Sequence, residues 1–478
     1  AGTCSAASGL CGAGAGPGVG AYYWPTHKGS ASRTGYFDYE VPKLGDGIAW
    51  AWSDPYIDVV RATPLIDEQK NIYLTTIAGR IYKFNAMGVI LWEKKVAGGI
   101  PTVGSLYNDT LFVGTKSGDL LALDLVSGLL RWRAMVSQVG VTAADPATVF
   151  ARSGTVVTAT HTTADTINGN TDVVGVSSED GRILWRFQPD QVTRNLQVCS
   201  PGDDTIIFQD KAAGLYRLGL ANGSLIWKSQ RHTRAISTLG AATCHGDKVY
   251  TVINEGHFTS ETAHSYMEVH AVETGRWLWQ VWLPYAANQA VTIGPHPRNQ
   301  SGSIAVVGVG ALPRRPPVFD ATGEHGPWIG QLVHQVDQNF PWIFGERKRA
   351  VVAYDAALGR RLWHFELEPF AHAAAAGDSE RVQQRFAEMS DGTNPDNEPM
   401  CLPTAGSAPV IGPDGTIYMG WQDGRIYAIK DANGDSRIDP KKEVTWRELG
   451  DAIYGSVAMA PGMLVAAPCG GGLHVFKS

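Results

Sequence analysis

Charge is scarce in this sequence. Asp, Glu, Lys and Arg make up 18% of its 478 residues, and the formal net charge is −6. The longest basic tract is Arg347-Lys348-Arg349, too short for the concentrated positive face that nucleic-acid binding needs. No apolar run approaches the roughly 20 residues that span a bilayer as a helix, so neither nucleic acid nor membrane embedding is expected. None of the 6 cysteines lies in a CxxC pair, which excludes zinc ribbons and thioredoxin-type motifs, and without CxxCH a c-type haem is excluded too. A G-x-S-x-G elbow, a P-loop and an H-E-x-x-H zinc motif are also missing.

Glycine and aromatic residues are plentiful: Gly 55, Trp 15, Tyr 16 and Phe 14. That balance suits many short strands joined by tight turns. A repeat points the same way. Gly-x-x-x-Trp recurs at Gly88–Trp92, Gly128–Trp132, Gly181–Trp185, Gly223–Trp227, Gly275–Trp279 and Gly359–Trp363. Most copies follow a turn and an alternating strand, as in Gly79-Arg80-Ile81-Tyr82-Lys83-Phe84 and Gly424-Arg425-Ile426-Tyr427-Ala428-Ile429. A period of about 40–50 residues with four short strands per unit is the signature of propeller blades. Trp92, Trp132, Trp185, Trp227, Trp279, Trp363 and Trp446 then read as structural residues packed flat between neighbouring blades. Units at 62–92, 101–132, 143–185, 196–227, 238–279, 291–363 and 404–446 make seven blades. An eighth combines 455–476 with an N-terminal strand carrying Trp50 and Trp52. The expected fold is all-β: an eight-bladed β-propeller of four-stranded antiparallel blades, closed by N- and C-terminal strands sharing one blade. A seven-bladed ring is the alternative.

The repeat resembles that of the quinoprotein-type (PQQ-like) eight-bladed propeller family over residues from about 22 to 476. The segment Trp24-Pro25-Thr26-His27-Lys28-Gly29-Ser30-Ala31-Ser32-Arg33-Thr34-Gly35 resembles the W-P-x-x-x-G-x-x-x-R-T-G segment common in its non-catalytic members, such as the outer-membrane assembly propeller lipoprotein. The resemblance implies the fold and says little about function, because the repeated residues are structural. On this reading residues 1–21 are a flexible segment and 22–478 form a single propeller domain. The small residues at the start, with no charged or apolar leader region, read as a processed chain whose signal peptide is gone.

Strand alternation sorts the irregular segments. Insertions at about 311–348 and 364–402 both fall on the face that carries the second-to-third strand turns and the blade-to-blade connections. The second contains an expected helix from Asp378 to Met389, with Val382 and Phe386 on its apolar stripe. Long loops on one face of a rigid scaffold commonly carry binding. His325, Trp328, His334, Asp337, Phe340 and Trp342 are the candidate partner- or ligand-binding residues there. Pinning of the loop by Trp328 and Trp342 is the competing reading.

Asp431-Ala432-Asn433-Gly434-Asp435-Ser436-Arg437-Ile438-Asp439 matches the first nine positions of an EF-hand type loop. Asp431, Asn433, Asp435, Asp439 and the carbonyl of Arg437 are the candidate ligands for a structural Ca²⁺. Ser436 stands where Gly is usual, and Lys442 stands at position 12 with Glu443 one residue later. Scattered cysteines in even number suggest disulfides and an oxidising compartment. Blade positions suggest Cys199 with Cys244 and Cys401 with Cys469, leaving Cys4 and Cys11 to pair locally.

Catalytic members of the resembled family carry two adjacent cysteines on the quinone, an Asp base and a Ca²⁺ site near the channel. No two cysteines are adjacent here, and the channel-side strands offer Arg61, Asp145 and little further acid. Glu255 and Asp337 are the remaining candidate bases. PQQ is therefore not expected. The favoured reading is an extracytoplasmic (secreted, periplasmic or cell-surface), non-enzymatic scaffold that binds a protein or polymer through its loop-rich face, within an extracellular assembly. A quinone-dependent alcohol or sugar dehydrogenase is the alternative. A carbohydrate-binding propeller using Trp328, Trp342 and Trp421 is the third.

Overall fold

The computed structural model describes residues 22–137, 148–160, 169–232, 235–236, 241–255, 264–297, 299–311, 332, 335–336, 339–340, 343, 346–372, 374–390, 401, 403 and 406–478. Eight antiparallel sheets follow one another around a ring. The second blade shows the plan, with strands Ser105–Tyr107, Thr110–Gly114, Asp119–Asp124 and Leu130–Met135 pairing in chain order. Its middle strands are buried nearly throughout, while the outer strand alternates between exposed and half-buried residues. Inner strands meet neighbouring blades on both faces, so both side-chain sets are apolar or small. The outer strand faces water on one side and keeps a period of two. In the last blade Trp50–Ser53 pairs with Gly472–Lys477, Trp50 opposite Val475. The two ends of the chain thus share the eighth blade, and the pairing covers the edge that the C-terminal strand would otherwise expose.

The Gly-x-x-x-Trp repeat acts between blades rather than within one. Where the repeat is kept, the indole of a last strand lies under the turn glycine of the following blade: Trp92 under Gly128, Trp132 under Gly181, Trp185 under Gly223 and Trp227 under Gly275. Gly223 has φ +66°, and a Cβ built there would lie 2.6 Å from Trp185, so both backbone and space demand glycine. The same indoles donate Nε1–H to a carbonyl of that next blade, Trp185 to Leu220 at 2.8 Å and Trp227 to Val272 at 2.9 Å. A register shift between third and fourth strands recurs in blades one to six. Such a bulge turns the strand locally, and here it falls just before each Trp.

Trp446 departs from the expectation of packing between blades. It is 46% exposed, because the third strand of blade eight ends the chain and supplies no turn glycine. Its ring instead carries the guanidinium of Arg425, 4.2 Å from the ring centroid.

The segment after residue 23 has a role that periodicity could not reveal. From Trp24 to Glu40 it visits all eight blades in order. Trp24 exchanges backbone hydrogen bonds with Ile66 in blade one, and Leu106 N–H donates to Pro25 in blade two. Thr26 Oγ1 donates to the Val149 carbonyl at the start of blade three. The amides of Ser200, Cys244, Ile293, Ile411 and Gly462 then donate to Ala31, Ser32, Thr34, Gly35 and Glu40, one in each of blades four to eight. This girdle saturates inner-strand edges that would otherwise face the channel unpaired. It forms the channel floor.

Candidate functional site

Blade-to-blade connections and the girdle converge on a small axial pocket of about 30 Å³, lined by Arg61, Thr148, Gln197, Gln289 and Tyr454 with His27 among its walls. Arg61 lies over Tyr454, 5.8 Å from the ring centroid, and Gln289 is held by the Gly406 carbonyl at 2.6 Å. His27 is 5% exposed. Its Nδ1 lies 2.8 Å from Thr63 Oγ1, which in turn meets Ser456 Oγ at 3.1 Å. Burial, reinforced by Arg33 and Lys28, holds the His27 imidazole well below its ordinary pKa, so the ring is neutral at pH 7. Because the lining residues precede first strands, the pocket opens on the face that carries the long connections.

Two disulfides join Cys199 to Cys244 and Cys401 to Cys469. The first ties the inner strands of blades four and five. The second pins the connection between blades six and seven to the second-to-third strand turn of blade eight, on the pocket's face. The helix α1, Ser379–Ser390, belongs to that connection. Its Val382 is buried, and the Asp378 carboxylate accepts the Cys401 N–H at 2.7 Å, locking helix start and disulfide together. His325, Trp328, His334, Asp337 and Trp342, like Cys4, Cys11 and Asp145, lie outside the described residues. Phe340 is described and is 48% exposed. Trp421, a candidate sugar platform, is fully buried, so that role is corrected: the apolar cluster of blades six and seven encloses it.

The loop after Arg425–Ile429 replaces the turn glycine in blade seven. Gly434 and Ser436, at loop positions 4 and 6, both have positive φ, +74° and +70°, so Ser436 takes the sharp turn that Gly usually makes in a calcium loop. Asp431 accepts from the Ser436 amide at 3.2 Å, Asn433 from Asp435 at 2.8 Å and Asp435 from Arg437 at 2.8 Å. Glu443 reaches back to the amides of Ala432, Asn433 and Asp439, closing the loop one residue later than position 12. The backbone path thus follows that of the expected loop. The carboxylates, however, are turned onto amides, and among the described residues no three His, Cys, Asp or Glu side chains are grouped to hold a metal.

One cluster escaped sequence reasoning. Glu268, 3% exposed, accepts from Arg231 at 2.7 Å and lies 2.9 Å from His232 and 3.4 Å from His270. Glu255, a candidate base, stands 4.0 Å from His232. No motif announces this group, since His232 comes from a connection while Glu268 and His270 share one strand. Only the fold brings them together.

A family model described as "Outer membrane protein assembly factor BamB" matches residues 77–280. No curated protein sequence matches the chain. Among solved structures, BamB from Moraxella catarrhalis is similar at TM-score 0.53 and 14% identity, covering 90% of this chain and 97% of that one. Quinohemoprotein alcohol dehydrogenase from Comamonas testosteroni is similar at TM-score 0.60 and 12% identity, over 95% and 80%. A europium-containing methanol dehydrogenase gives TM-score 0.60 at 11% identity, over 97% and 98%. These likenesses, with the repeat, make the fold that of a PQQ-like propeller. Scaffold and dehydrogenase share it, so the fold does not choose between them.

Proposed function

We propose that this protein is an extracytoplasmic, non-enzymatic propeller scaffold that holds a protein or polymer partner on its loop-rich face. The observation that carries this reading is the Cys401–Cys469 bridge, which fixes a long connection onto the face where the axial pocket opens. The girdle supports it by closing the other side of the channel, leaving one face for binding. Two disulfides suit an oxidising compartment, and among the described residues no helix is long and apolar enough to cross a membrane. The likeness to BamB agrees with a protein partner. A structural Ca²⁺ in the Asp431–Asp439 loop completes the proposal, held by Asp431, Asn433, Asp435, Asp439 and the Arg437 carbonyl, where it would stiffen the long turn of blade seven.

Photo-crosslinking tests the face. A photoreactive residue at Gln383 on the loop-rich face is expected to give discrete adducts in the native compartment, and one at Glu179 on the opposite face is not. Adducts from Glu179 alone overturn the reading. Native mass spectra before and after mild chelation are expected to show calcium alone, lost with the chelator. A quinone-sized mass makes the protein a dehydrogenase instead.

A further inference from the structure

Basic side chains gather at the channel floor with no acid paired to them among the described residues. Lys28 and Arg33 are fully buried, and His27 nearly so. Lys28 Nζ donates to the Val291 carbonyl. Arg33 donates to the carbonyls of Val198 and His27 at 3.0 and 2.5 Å and to the hydroxyls of Thr26 and Thr148 at 2.8 and 3.3 Å. Every one of these acceptors is neutral, and among the described residues no Asp or Glu forms an ion pair with the three basic groups. Burial pulls Lys28 well below its ordinary pKa and Arg33 down to about 9, which still leaves Arg33 charged at pH 7. Charge buried without a counter-charge is costly, and a bound anion is the direct relief.

The pocket above this floor is built to receive one. His27 Nε2 is buried with no hydrogen-bond partner. We assign the proton of the His27–Thr63 hydrogen bond to Thr63 Oγ1, so that the neutral ring keeps its own proton on Nε2 and presents a donor. Arg61 stands at the same pocket, and the Gln197 amide can turn its NH₂ inward. The volume of about 30 Å³ is roughly twice what one water centre needs, which matches the two oxygens of a carboxylate.

We infer that the axial pocket binds a carboxylate, held by Arg61 and His27 Nε2–H over the floor of Lys28 and Arg33. The carboxylate is either a free small acid or the C-terminus of a polypeptide entering from the loop-rich face. The inference stands apart from the partner reading, because a free acid fills the pocket equally well.

The test is calorimetric titration of the full chain with sodium acetate, then with a short peptide bearing a free C-terminus and its amidated twin, at fixed ionic strength. Saturable acetate binding at one site is expected. Arg61→Gln is expected to weaken it at least about tenfold, as losing one charge-assisted hydrogen bond does. Tighter binding of the free-ended peptide than of acetate, with none of the amidated twin, assigns the polypeptide source; acetate binding without peptide binding assigns the free acid. A bromide soak read by anomalous scattering, expected to peak beside His27 Nε2, keeps the test open if Arg61→Gln fails to fold. No saturable acetate binding up to about 100 mM, or equal affinity in a folded Arg61→Gln, overturns the inference.

Discussion

Blades one to six and the closing sector of blades seven and eight solve the same problem by different means. In the first group every junction has a bulge, a turn glycine and an indole from the preceding blade. In the closing sector the bulge is absent from the third-to-fourth strand pairing. The Asp431–Asp439 loop replaces the glycine, Ile438 from that loop packs with the cluster containing Trp363, and Trp446 is left half-exposed. Fixation comes instead from Cys401–Cys469 and from Arg447, which donates to the carbonyls of Leu44 and Gly45 ahead of the closing strand. Repetition suffices where each blade is followed by another turn. Where the chain ends must meet, covalent and charge-assisted links take over.

Breaking one junction of each kind sharpens the contrast. Trp185→Ala removes a nearly buried ring from the junction of blades three and four, and chemical denaturation is expected to show a loss of about 3–5 kcal/mol. Replacing Cys401 and Cys469 together by Ser should cost roughly 2–4 kcal/mol, with limited proteolysis first cutting the connection around α1. Cleavage elsewhere would show that the bridge does not hold that segment. Trp446→Ala should cost under about 1 kcal/mol, since its ring is already in water. A loss equal to that of Trp185→Ala would remove the distinction.

A smaller, graded effect is expected from pH. Burial lowers the pKa of His27, His245 and His474 below the ordinary value, helped at His27 by Arg33 and Lys28. A folded pKa below the unfolded one means that the unfolded chain binds more protons as pH falls below about 6.5. Their contribution is complete above that pH and is lost progressively below it. Thermal melts should show Tm falling between about pH 6.5 and 5, with a shallower slope in His474→Gln; a flat profile would contradict the burial of these rings.

Much of this was legible. The Gly-x-x-x-Trp period set the repeat unit and the boundaries of blades one to six, because each of them must make the same turn and fill the same junction. The two described disulfides followed from equivalent positions in blades and from shared faces. The mutual partner of each Trp was not legible, since the glycine it meets lies one repeat ahead. Nor was the burial of Trp421, where the motif resembles an exposed loop after a strand. Lys28 and Arg33 carry no sequence sign of burial; charged residues beside glycine and serine ordinarily read as a solvated loop.

Periodicity was enough to dictate the ring: a local unit, repeated, leaves only closure as a way to cover its sheet edges. The channel came from long-range packing instead. Its floor is one irregular segment laid across eight inner strands in turn, and its pocket is assembled from connections belonging to different blades. Contacts between residues so far apart in the chain have no period to announce them, because they depend on where the closed ring brings its inner edges together.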